Sequence, residues 1–123
     1  RQRQMCIRDR FVSEDGSPRM AFGVMGGHMQ HQGHVQMVKR VFEFGQNPQA
    51  AIDAPRWHVY PEFTIGLESG FDQSIASQLV DLGHSVRFEK NESVFGGAQL
   101  ILRSENGFVA GSDSRKEGLA AGY

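Results

Sequence analysis

From Phe11 onward, short apolar runs alternate with glycine-centred breaks, and that punctuation predicts most of the elements. Asp15-Gly16 and Asn106-Gly107 each separate two apolar runs, and such pairs favour the positive φ angles of tight hairpin turns. Hairpins are therefore expected around residues 11–25 and 98–112. Between them Val35, Val38, Val41 and Phe42 recur at three- and four-residue spacing, with Met37 and Phe44 beside them. This spacing predicts an amphipathic helix from about Met29 to Phe44, stopped by Gly45. Asn47-Pro48 supplies a cap and a first-turn proline for a short helix that Pro55 ends. A third helix is expected from about Asp72 to Leu82, capped by Asp72, burying Ile75, Ala76, Leu79 and Val80 and stopped by Gly83. Val86 and Phe88 alternate with polar neighbours, as in a strand. The order strand, strand, helices, strands, helix, strands predicts an α+β chain with a mainly antiparallel sheet.

The pattern does not extend to residues 1–10, which hold four arginines and no hydrophobic period. They also lack the apolar core of about seven residues that a signal peptide needs. Residues 1–10 are therefore expected to be a non-native lead with no fixed place in the fold. The protein proper is then expected to occupy 11–123 and to extend further upstream, with the final Gly122-Tyr123 as its natural end. Of the 123 residues, 30 are Leu, Ile, Val or Phe, above the roughly 20% below which a chain struggles to bury a core. Thirteen Lys and Arg against 14 Asp and Glu leave a net charge of −1, without the basic excess of a nucleic-acid partner. No apolar run approaches the ~20 residues of a membrane-spanning helix. The single cysteine, Cys6, excludes an internal disulfide framework and a Cys-rich zinc site. Glycine, at 15 of 123 residues, exceeds the usual ~7% and points to tight turns or close backbone approaches.

Candidate chemistry is sparse. His28, His31 and His34 resemble a metal cluster, but three-residue steps rotate ~300° each, so His28 and His34 drift apart by ~120° around a helix and no metal is expected. No zinc-protease, nucleophile-elbow, dinucleotide or phosphate-loop fingerprint is present. Cys6, in the lead, is a poor nucleophile. Asp113-Ser114-Arg115-Lys116 reads either as a charged binding turn or as a solvated one. More informative is Phe22-Gly23-Val24-Met25-Gly26-Gly27-His28, which joins an apolar strand to a helix through paired glycines. The first amides of that helix have no intrahelical acceptor, and at a positive helix end they suit a carboxylate or a developing oxyanion. The same glycines also fit a steric hinge that merely permits a tight turn.

Three stretches together resemble the C-terminal part of the small subunit of the gamma-glutamyltransferase family. Gly23-Val24-Met25-Gly26-Gly27 is similar to that family's G-x-x-G-G turn. Phe44-Gly45-Gln46-Asn47-Pro48 with Ala51-Ile52-Asp53-Ala54-Pro55-Arg56 resembles its helix pair. Gly111-Ser112-Asp113-Ser114-Arg115-Lys116-Glu117-Gly118 with Ala121-Gly122-Tyr123 is similar to its C-terminal signature. The resemblance implies an N-terminal-nucleophile hydrolase fold, an αββα sandwich of two mainly antiparallel sheets, made as a precursor that cleaves itself. It further implies a threonine at the new N-terminus that attacks the gamma-glutamyl amide of glutathione or a related small molecule and passes the acyl group to water or an amine. Gly26 and Gly27 inherit the oxyanion role, and no cofactor or metal is implied.

The departures from that family are as specific. The chain's only threonine, Thr64, sits inside an apparent strand, so the nucleophile and the groups that bind the substrate's α-carboxylate and α-amine are expected upstream. The partner is then the rest of the precursor, its large subunit and small-subunit N-terminus, and the 123 residues alone are expected to be inert. Met25, Met29-Gln30 and Gly33-His34 resemble the broader hydrolase-like branch. Two alternatives remain open, a related cephalosporin-type acylase and a non-enzymatic module using the glycine turn as an anion nest. The compartment is left open.

Overall fold

In the computed structural model, which describes residues 9–12 and 15–122, two sheets share the chain. The larger consists of β1 (Asp9–Val12), β2 (Pro18–Met25), β6 (Gly97–Ser104) and β7 (Gly107–Ser112), in that order and antiparallel throughout. The smaller is β3 (Trp57–Val59), β4 (Thr64–Leu67) and β5 (Ser85–Phe88), with β4 and β5 parallel across a helical crossover. The α+β expectation and both hairpins hold. In the second hairpin the residues that leave the ladder are Glu105 and Asn106, because Ser104 already faces Gly107. Gly107, at φ 141°, opens β7 and is not a turn residue.

The expected boundary at residue 10 falls inside β1, where Asp9 pairs with Phe22 and Arg10 with Ala21. Ladder bonds use the backbone, so an arginine-rich, aperiodic composition is no obstacle to pairing. Residues 1–8, Cys6 included, lie outside the described residues, as does Tyr123.

Alternation along β2 sorts its side chains. Met20, Phe22 and Val24 turn inward with Ala98 and Leu100 of β6, and they meet Met37, Val41, Ala51 and Ile52 from the helices. The first helical run opens as a 3-10 turn, Gly27–Met29, continues as α1 (Gln30–Val38) and widens into a π turn, Lys39–Glu43. There the Phe44 amide reaches back to the Lys39 carbonyl at 3.0 Å, and Gly45, at φ 63°, ends the run. The buried face of α1 is Gly33, Gln36 and Met37, whereas Val35 is half exposed, contrary to the expected stripe. The reason is polar. The side-chain amides of Gln32 and Gln36 pair with the backbone of β3 as a neighbouring strand would. Gln32 bonds Val59 N–H and C=O at 2.8 and 2.9 Å, and Gln36 bonds those of Trp57 at 3.2 and 2.9 Å. That docks the small sheet on the helix and turns Val35 away.

The helix α2 (Pro48–Asp53) is capped as expected, Asn47 accepting from Ala50 N–H at 2.9 Å. It seats on β7 where Gly111 has no side chain, since a Cβ there would lie 2.8 Å from Ile52 Cδ1. The helix α3 (Gln73–Asp81) forms behind its Asp72 cap, but of the expected buried face only Ala76 is buried, with Ile75 and Val80 exposed. The helix packs on β5, the edge strand of the small sheet, which leaves much of the stripe uncovered. No helix among the described residues is long and apolar enough to cross a membrane.

Candidate functional site

Met25, the last residue of β2, pairs with Gly97 of β6. Beyond it Gly26 takes φ 132°, ψ 23° and Gly27 takes φ 59°, conformations that L side chains avoid. The Met29 amide donates to the Gly26 carbonyl at 3.1 Å, and the fully buried Met29 side chain anchors the turn. Gly26 and Gly27 are themselves exposed. The pair thus has the backbone geometry of a hinge and also stands where the first amides of a helical run lack intrahelical acceptors. The two readings of the sequence are compatible.

A second glycine pair, Gly96-Gly97, lies against the first. A Cβ on Gly26 would come within 3.0 Å of the Gly96 Cα, and one on Gly96 would overlap the Met25 carbonyl oxygen. Gly96 has φ 69° and follows a 3-10 turn, Glu92–Phe95, whose Phe95 is fully buried. The sequence reading missed Gly96. Its one signal was a further paired glycine just ahead of an apolar strand.

Behind these glycines lies a buried polar cluster. Arg56 Nη2 meets Asp113 Oδ2 at 2.5 Å, with both side chains fully buried. Arg56 also donates to the carbonyls of Phe95 at 3.1 Å and Ile52 at 3.0 Å. Asp113 accepts from the Ala98 amide at 2.6 Å and the Arg115 amide at 2.9 Å. Arg115 makes a two-pronged contact with Glu68, Nε to Oε1 at 2.5 Å and Nη2 to Oε2 at 2.6 Å, a strong geometry for this pair. Glu68 in turn accepts from the Arg56 amide at 2.8 Å. Arg40 caps the cluster through the carbonyls of Ala51, Ala54 and Pro55. Within Asp113-Ser114-Arg115-Lys116, Asp113 and Arg115 are thus turned into the fold and paired there, while Ser114 is exposed. Asp113 is 1% exposed and its charge is spent inside the fold.

Burial opposes ionisation of Asp113, but the Arg56 guanidinium and the amides of Arg115 and Ala98 outweigh it and hold the carboxyl below the usual carboxylate range. Burial, then the neighbouring Arg56 and Arg115, push the Arg40 guanidinium down to about 10. His58, buried and stacked on Tyr60 at 4.4 Å, is pushed below the usual histidine range mainly by burial, with its Nδ1 left without a partner.

The remaining candidates are placed elsewhere. His34 is turned back on β2, its Nε2 accepting from Val24 N–H at 3.3 Å and its ring edge-on to Phe22, while His28 and His31 are exposed. Among the described residues no three His, Cys, Asp or Glu side chains converge as a metal site. Thr64 opens β4 opposite Ser85, within the sheet. A broad surface depression lies on the other face of the large sheet, lined by Arg19, Ile101, Arg103 and Phe108, and does not include the glycine turn.

Known proteins resemble this chain in sequence and in fold. The family model described as Gamma-glutamyltranspeptidase matches residues 6–123. The glutathione hydrolase-like YwrD proenzyme of Bacillus subtilis (strain 168) is 33% identical over 118 residues, 90% of this chain but 22% of its own length. Among solved structures, cephalosporin acylase from Bacillus halodurans superposes with a TM-score of 0.83 at 40% identity, over 89% of this chain and 21% of that one. The gamma-glutamyltranspeptidase from Pseudomonas nitroreducens complexed with L-DON superposes at 0.80 with 20% identity, over 99% of this chain and 65% of that one, a likeness of fold. The chain thus spans about a fifth of the length of the relatives it matches at 33% and 40% identity.

Proposed function

Because the chain belongs to the gamma-glutamyltranspeptidase family, we propose that it supplies the oxyanion side of an enzyme that cleaves gamma-glutamyl amides through an acyl-enzyme. On this reading the hydroxyl of an N-terminal threonine attacks the substrate's carbonyl carbon while its own α-amine takes the proton. The carbonyl oxygen becomes an oxyanion at the Gly26 and Gly27 amides. The C–N bond then breaks, the leaving amine takes the proton, and water or an acceptor amine removes the acyl group. Thr64 opens β4 in mid-chain and cannot combine a hydroxyl with a free α-amine, so on this reading the nucleophile comes from a segment outside these 123 residues. That segment, with the large subunit, is the partner this reading requires.

The observation that carries the reading is the Gly26-Gly27 turn: two exposed residues at positive φ where a helical run begins. Donors so placed are each worth ~10²–10³ in rate when aimed at developing charge. The test is Gly27→Val in the polypeptide that joins this chain to its nucleophile-bearing segment. No atom crowds a Cβ at Gly27, so the substitution acts through backbone strain at φ 59° and not through a clash. Turnover of a gamma-glutamyl anilide should fall by about 10²-fold with KM little changed. Equal losses in binding and turnover would favour a hinge alone.

A second reading, an acylase acting on a cephalosporin-type amide, is favoured by the 40% identity to the Bacillus halodurans protein. It shares the same chemistry at the glycine pair. Parallel assays with a gamma-glutamyl anilide and a cephalosporin-type amide separate the two.

A further inference from the structure

We propose that Gly96 is a positioning residue for the Gly26 amide, the inference resting on the oxyanion reading above. The Met25 carbonyl and the Gly26 N–H belong to one planar peptide unit, so whatever turns the carbonyl turns the N–H with it. A Cβ built on Gly96 falls 1.8 Å from the Met25 oxygen and 2.9 Å from its carbonyl carbon, far inside any tolerated contact. The approach is mutual, since a Cβ on Gly26 would lie 3.0 Å from the Gly96 Cα.

Gly96 cannot step aside. Its own amide donates to the Ser93 carbonyl at 3.2 Å. The residue before it is held by Arg56 through the Phe95 carbonyl, and Ala98, two residues on, is held by Asp113 through its amide at 2.6 Å. The Arg56–Asp113 pair joins these two clamps. The facing Met25–Gly26 peptide is held by the Met25–Gly97 pairing and by the Met29 amide on the Gly26 carbonyl, but it leads into the exposed glycine turn, so it is the softer partner. A side chain at Gly96 is therefore accommodated by rotating the Met25–Gly26 peptide, and the Gly26 donor is lost from its direction.

The test uses the 123-residue chain, labelled with 15N and titrated with acetate as a carboxylate probe. In the unmodified chain the Gly26 and Gly27 amide resonances should move with acetate, and the α-protons of Gly26 and Gly96 should give a strong NOE. Gly96→Ala should shift the Gly26 amide and raise the acetate dissociation constant read there about tenfold, the loss of one hydrogen bond to a charged group. Gly16→Ala is the control for strain alone: it too sits at positive φ, 79°, but in the first hairpin turn with nothing near its Cβ. It should lower stability and leave Gly26 unmoved, which a merely structural role for Gly96 would not distinguish. A Gly26 resonance unchanged in Gly96→Ala overturns the role of Gly96. Absence of the NOE does so without any variant having to fold. If acetate moves neither glycine amide in the unmodified chain, the oxyanion reading itself fails, and the inference with it.

Discussion

Arg56 and Asp113, 57 positions apart in the chain, meet at 2.5 Å with both side chains fully buried, and their remaining bonds hold the two ends of the Phe95–Ala98 segment. A buried ion pair is by itself weak support for stability, because desolvation consumes much of the attraction. This one also satisfies the carbonyls of Phe95 and Ile52 and the amide of Ala98. An unpaired backbone group in the interior costs ~1–3 kcal/mol, so the pair matters through what it pins as much as through its charges.

Asp113→Ala should therefore destabilise the chain by about 3–5 kcal/mol, since it leaves a buried guanidinium unbalanced. The apolar double variant Arg56→Met with Asp113→Leu should recover only part of that loss, because the Phe95 carbonyl and the amides of Ala98 and Arg115 stay without these partners, while the Ile52 carbonyl keeps Arg115 Nη1. Urea unfolding measures both. A double variant as stable as the parent would show that the backbone bonds contribute little.

Gly33, in the middle of α1, opposes two effects. Alanine gains about 1 kcal/mol of helix propensity over glycine. A Cβ there, however, would lie 2.6 Å from Val24 Cγ1 in the core, and overpacking costs ~1–3 kcal/mol. Since valine is stiff at χ1 and Val24 is buried, the second effect should win, and Gly33→Ala should lower the melting temperature. Adding Val24→Ala should relieve the clash, giving non-additive losses in a double-mutant cycle.

His58 and Asp113 act on the acid side of the stability curve, together with the exposed carboxyls of Asp53 and Asp72 and that of Glu89, which are also lowered by hydrogen bonds. His58 has its pKa lowered in the folded chain, so the unfolded chain binds that proton first and stability begins to fall as pH drops below about 6.5. Asp113 also has a lowered folded pKa. Its contribution is whole above the unfolded value of about 3.9 and is lost as pH falls through the folded one. His58→Gln should flatten the upper limb and spare the lower. A denaturation series from pH 8 to 3 checks this, and an upper limb unchanged by the substitution would rule out His58 as its source.

The outward face of the large sheet carries Met25, Ile101 and Phe108, exposed by 43, 48 and 75%. Apolar side chains grouped on one sheet face invite association. The chain should self-associate at high concentration, and Ile101→Lys should shift sedimentation toward monomer without changing the melting temperature much. An equal degree of association in the variant would place the contact elsewhere.

What was legible in the sequence was local. Asn47 and Asp72 cap the helices they announce, Asp72 accepting from Ser74 N–H at 2.8 Å, and Gly45 ends its run at positive φ. Gly26 and Gly27 sit at the strand-to-helix turn their pairing suggested. What escaped depends on residues far apart in the chain. Val35 looked inward by spacing, yet Gln36 is inside because its amide pairs with a strand 21 residues away. Glu68 and Arg115, 47 positions apart, show nothing in their neighbourhoods of the two-pronged bond they form. Gly96 was one glycine among 15, and only the folded chain brings it against Met25.

The central claim is that this chain contributes oxyanion donors and depends on another segment for its nucleophile. The most direct measurement is aniline release from a gamma-glutamyl anilide by the purified 123-residue chain alone, beside the polypeptide that also carries the nucleophile-bearing segment. The account predicts release by the longer protein only, and no rate above buffer for the chain by itself. Turnover by the chain alone, abolished by Gly27→Val, would contradict it and locate a nucleophile within these residues.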